Sequence, residues 1–162
     1  LVGTFVNDPN NSGSRFYVQT QELRQQNEAL MTKHLIPVWN MFAARMDWVR
    51  SATGNRPPII EVNGDRSGNI LQLVVNHGRE IILDASKTYD NESDKLNFNW
   101  EIMSFSGIPI ENVKITPIED DIIKINFPEN STEKQVHLLL SVMDDGAGHP
   151  LIAFKRIIIN IP

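Results

Sequence analysis

Between positions 89 and 94 the chain reads Tyr-Asp-Asn-Glu-Ser-Asp. Asp90, Asn91, Glu92 and Asp94 offer hard oxygen donors, the ligand type that Ca²⁺ takes from carboxylates and amides. Asp144 and Asp145, in a second acidic turn, are further donors of the same kind. An EF-hand loop needs Gly at its sixth position and Glu at its twelfth, and neither falls in register here. The competing reading is therefore a solvated acidic turn. The expectation is no cofactor, with Ca²⁺ at Asp90, Asn91 and Asp94 as the alternative.

The second chemistry on offer is stacking. Flat aromatic rings exposed to solvent bind sugars by covering a pyranose face. After position 57 the aromatic residues are Tyr89, Phe98, Trp100, Phe105, Phe127 and Phe154. Phe98 and Trp100 fall in an alternating run and read as core. Tyr89 and Phe105 fall in loops and are the candidates for glycan binding.

Hydrolytic catalysis finds little to work with. His34, His77, His137 and His149 show no metal-ligand spacing. Ser104 and Ser106 have no His or Asp partner nearby in sequence. Asp120 and Asp121 are adjacent in a turn, and adjacency alone does not mark a glycosidase pair. With no Cys, disulfides and thiol chemistry are excluded.

Strands must position these residues. The stretch from Gly78 to Ile102 organises the rest: a short apolar run at Ile81, Ile82 and Leu83, a polar corner over residues 86–95, then Leu96, Phe98, Trp100 and Ile102 alternating with Asn97, Asn99 and Glu101. A period of two puts four large apolar groups on one face, which needs a second sheet to cover it. Further strands are predicted at Ile59–Val62 (an edge strand), Ile70–Val75, Asn112–Glu119, Asp121–Phe127, Gln135–Met143 and Ile152–Ile161. Leu138, Leu140 and Val142 face inward, and Ile157, Ile159 and Ile161 share one face. Short strands with turn clusters between them and no helix predict a mainly β, immunoglobulin-like antiparallel sandwich of about seven strands.

The N-terminal part differs. Residues 7–14 (NDPNNSGS) read as a turn-rich loop. From Thr20, a plausible N-cap, the pattern becomes helical, and Pro37 is expected to divide it into two helices, the second ending near Gly54. Phe42 and Trp48 are expected to be buried, against the sandwich or a preceding domain. Asn55–Pro58 (NRPP) is a stiff linker, so the predicted domains are 1–56, a loop and helical segment, and 57–162, the sandwich. Residues 57–162 hold nine Lys/Arg against sixteen Asp/Glu, and residues 1–56 hold six against four. The net charge of −5 over 162 residues argues against nucleic acid as a partner. No run of 18 apolar residues exists to span a membrane. The chain begins at Leu1 without a signal peptide and reads as a fragment or processed product.

Three passages point further. LDASKTYDNESDKLNFNWEI and LLLSVMDDG resemble segments of polycystic-kidney-disease-type modules. NRPPIIEVNGD, preceded by FAARMDWV, resembles the C-terminal region of a bacterial family of cellulose-binding proteins whose larger N-terminal domain is similar to nucleoside hydrolases. The resemblance spans residues 40–162. The aspartate cluster with which nucleoside hydrolases hold calcium has no counterpart in this sequence. The resemblance thus implies a non-catalytic accessory module of an exported protein, which docks to its preceding hydrolase-like domain or binds polysaccharide. The alternatives are a structural spacer and a module that completes the hydrolase active site.

Overall fold

The computed structural model describes residues 4–8, 11–18, 21–51, 53–103, 113–129 and 134–162. They divide into two compact units, Leu1–Ala43 and Ala44–Pro162. The division falls earlier than the linker at Asn55–Pro58. The end of the helix and the linker group with the second unit, where Trp48 Nε1 donates to the Asn55 carbonyl at 2.8 Å.

In the first unit, strands β1 (Thr4–Asp8) and β2 (Asn11–Val18) pair as an antiparallel hairpin, with Phe5 opposite Tyr17 and Val6 opposite Phe16. This corrects the expected loop at 7–14. Long-range backbone pairing, which local turn residues do not reveal, carries the ladder to Asp8 and Asn11.

One helix follows, α1 (Gln21–Ser51), with Pro37 inside it. The expected pair of helices is thereby corrected. Proline removes a single N–H, the one that would reach the Lys33 carbonyl. Strong helix formers lie on both sides of it, Gln, Glu, Leu, Met, Ala and Arg before and Met, Ala and Arg after, and keep the helix continuous. Gly54, at φ +139°, follows its end. Phe42 is 54% exposed within this chain and Trp48 half-buried.

Among its described residues the second unit is mainly β, with seven strands in two sheets. These are β3 (Leu71–Val74), β4 (Glu80–Asp84), β5 (Asn97–Ile102), β6 (Lys114–Pro117), β7 (Ile122–Asn126), β8 (Gln135–Met143) and β9 (Ile152–Asn160). One sheet has the order β3-β9-β8-β5 and the other β4-β7-β6. All pairs are antiparallel except β3 with β9. Ile59–Val62 forms isolated bridges, Ile59 with Tyr89 and Val62 with Asp65, rather than a strand. Pro57 and Pro58 precede it, and Asn63 and Gly64, both at positive φ, turn the chain immediately after it.

Burial follows the predicted alternation. Leu138, Leu140, Val142, Ile157 and Ile159 are fully buried, and with Leu83, Ile123 and Ile125 of the other sheet they belong to one core cluster. Phe98 and Trp100 pack against it, half-buried. Lys155 occupies an inward position opposite Leu140 and is 3% exposed. Its ammonium donates to Asp65 Oδ2 at 2.8 Å and to the Ser67 carbonyl at 2.6 Å.

Candidate functional site

The acidic residues gather at one end of the second unit, where Asn55 meets the β8–β9 turn. Asp90 is buried, and its Oδ1 accepts from the backbone N–H of Glu92 at 2.8 Å and of Asp94 at 3.3 Å. Asp144 is also buried. Its Oδ1 accepts from Asn55 Nδ2 at 2.9 Å, Gly146 N at 3.0 Å and Leu151 N at 2.8 Å. Asp145 Oδ1 takes Lys95 N at 2.8 Å. The carboxylates thus serve first as caps for turns. Asn91 is exposed and Asp94 half-buried. Burial, then the charges of Asp90, Asp144, Asp145 and Glu92, push the Asp94 carboxyl above its ordinary range. Thr53, Gly54, Asn55, Arg56, Glu92, Asp94 and Ala147 line an open hollow of about 530 Å³. Among the described residues no group of three or more carboxylates or imidazoles is arranged to hold a metal ion.

Of the two predicted stacking residues, Tyr89 is exposed, and Phe105 lies outside the described residues. The Arg66 guanidinium sits 5.4 Å from the Tyr89 ring centroid, on one of its faces. Arg66 is itself held by the buried Glu61, to which its Nε donates at 2.9 Å.

The outward face of the four-stranded sheet was not singled out in sequence. With Leu138, Leu140, Ile157 and Ile159 turned inward, the residues that alternate with them, Leu139, Ile152 and Ile158 among them, face out. Register places Asn99, Ser141 and Phe154 in one row across β5, β8 and β9, and Glu101, Leu139 and Arg156 in the next. Phe154 is 56% exposed. The opposite parity of Ile157 and Ile159 already put Phe154 on the outer face, and this was the signal available in sequence. Further along, a directed chain of hydrogen bonds runs over the sheet. Arg156 donates to His137 Nδ1 at 2.7 Å, and His137 Nε2 donates to Gln135 Oε1 at 2.6 Å. Gln135 Nε2 donates in turn to Asn160 Oδ1 at 2.8 Å. Burial, then the Arg156 charge, lowers the His137 pKa. A neutral imidazole suits this chain, because Nδ1 must accept.

A helix-bearing, mainly β module with two sheets and one core cluster, and with an exposed ring on the outer face of one sheet, is the class these features define. The chain belongs to the family of the C-terminal domain of the cellulose-binding protein Sde0182, whose profile matches residues 80–161. A similar solved structure is a nucleoside hydrolase-related protein from Saccharophagus degradans, described as associated with carbohydrate metabolism. It is 28% identical with a TM-score of 0.69, and the match covers 91% of this chain and 35% of that one. The present chain therefore spans about a third of that protein. An endo-fucoidan hydrolase of glycoside hydrolase family 107 matches at TM-score 0.43 and 19% identity, over 68% of this chain and 14% of its own. Murine CRIg matches at TM-score 0.42 and 11% identity, over 66% and 99%. No curated protein matches the chain.

Proposed function

We propose that the chain is a non-catalytic, carbohydrate-binding accessory module of an exported, nucleoside-hydrolase-related protein. The observation that carries this reading is its family membership over strands β4–β9, in a family described as cellulose-binding. The module is an immunoglobulin-like sandwich in this reading. Support comes from the strand orders, the parallel β3–β9 pair that closes one sheet, and Trp100 of β5 packed against the shared core. The test is a pull-down of the purified chain on insoluble cellulose and xylan, with parallel assays on nucleosides and p-nitrophenyl glycosides. Retention on a polysaccharide without turnover is expected. Turnover abolished by a point substitution in this chain would overturn the non-catalytic reading.

A second reading, docking to a preceding hydrolase-like domain, is favoured by helix α1. Within the first unit Leu35, Trp39 and Phe42 recur at spacings of four and three along it, and all are exposed. Such spacing lines one helix face. The Trp39 and Phe42 rings meet edge-on, 6.2 Å between centroids. Replacing Trp39 and Phe42 together by Ser should abolish binding of a hydrophobic dye to the chain. A wild-type chain that binds no such dye would overturn this reading.

A further inference from the structure

The geometry points to the outer face of the β3-β9-β8-β5 sheet, centred on Phe154, as a binding surface for a neutral, extended polysaccharide chain. This rests on the carbohydrate-binding reading above and names its site.

Phe154 presents the exposed ring on this face. The other aromatics of the described sheet, Phe98 and Trp100, turn inward against the core. A phenyl ring lying on a flat sheet covers the C–H face of a pyranose. The sugar's hydroxyls then point sideways and need polar partners at its rim. The row of Phe154 supplies Ser141 and Asn99, while in the next row Leu139 lies between Glu101 and Arg156. The Asn99 amide and the Ser141 hydroxyl together provide both donors and acceptors. Arg156 and Glu101 offset each other in charge, so the surface favours neither phosphate nor a polycation.

The face is also held in shape before any ligand arrives. The hydrogen bond from Arg156 to His137 restrains the one charged side chain on the outer face of β9, next to Phe154, and that rotamer is fixed before binding. Four strands span roughly 14 Å across the sheet, the scale of an oligosaccharide rather than a single sugar. Tyr89 is a weaker platform, because Arg66 already occupies one of its faces.

The test is calorimetric titration of the 162-residue chain with cellohexaose and xylohexaose, together with a melting curve for each variant. Phe154→Ala should weaken binding at least tenfold without lowering the melting temperature. Phe154→Trp should retain binding, and Tyr89→Ala should leave it unchanged. Asn99→Ala, at an exposed position, should weaken binding severalfold and guards against a folding effect at Phe154. If wild type binds and both Phe154→Ala and Asn99→Ala bind equally well, this face is overturned while the carbohydrate-binding reading stands. If wild type binds neither these oligosaccharides nor insoluble cellulose and xylan, both are overturned.

Discussion

Asn55 Nδ2 donates to Asp144 Oδ1 at 2.9 Å, joining residues 89 positions apart. Asn55 also reaches the His149 carbonyl at 3.1 Å, so one amide pins the segment after the helix to the β8–β9 turn. Gly146 makes this approach possible: a Cβ there would lie 2.0 Å from Asn55 Nδ2. Asn55→Ala should cost about 1–3 kcal/mol, since it leaves a buried acceptor short of a donor. Gly146→Ala should cost a similar amount by expelling the same amide. Because both act on one contact, the double variant should cost clearly less than the two together. Urea unfolding of all four proteins checks this, and strict additivity would disprove the coupling.

The His137 imidazole is kept neutral by burial and by Arg156. Its pKa is lower folded than unfolded, so the unfolded chain binds the extra proton first. Stability should hold above pH 6.5, the ordinary value, and fall as pH drops below it. His137→Gln should flatten that part of the profile. Melting temperature measured from pH 8 to 5 for both proteins reads the difference, and parallel curves would contradict it.

Asp94 behaves in the opposite sense. Its pKa is raised, so the folded state takes up the proton more readily than the unfolded one. The repulsion is fully present at neutral pH and fades as pH falls through the raised value. Asp94→Asn should therefore raise the melting temperature at pH 7, with an advantage that disappears in acid. A neutral or lower melting temperature at pH 7 would show that Asp94 is needed as a carboxylate.

Asp65 is held down to about 2, chiefly by its hydrogen bond to Lys155 and then by the Ser67 backbone N–H. That stabilisation is complete above the ordinary value of 3.8 and is lost as pH falls toward 2. Asp65→Asn should destabilise at pH 7 and converge with wild type in strong acid. Lys155→Met, which removes the inward charge and its need for a partner, should be tolerated far better than Asp65→Asn. Equal losses in the two variants would mean that burial of the ammonium carries no penalty.

Period-two patterning was legible wherever one face is apolar throughout. Strand β8 has the predicted bounds Gln135–Met143, and Leu138, Leu140 and Val142 are inward as their spacing requires. Local chemistry misled where long-range pairing decides. The turn residues at 7–14 gave no sign that Phe16 and Tyr17 would pair with Val6 and Phe5. Pro37 marked a break that its neighbours override. At the candidate site, the acidic loop was visible as a cluster, but sequence could not show that its oxygens cap backbone N–H groups. Phe154 was among the aromatics considered, and only the register of β9 against β8 reveals what surrounds it.

The parallel pairing of β3 with β9 has a mechanical consequence. Leu71 lies opposite Ile157 and Val74 opposite Asn160. The chain enters β3 at Leu71 and leaves β9 at Asn160, so tension applied from upstream and downstream pulls the two strands past each other along their axes. Their hydrogen bonds lie across that direction and share the load together rather than opening one after another. Tension from upstream meets the Asn55 clamp before it reaches β3. Opening this sheet by such a pull would therefore require the β3–β9 hydrogen bonds to break together.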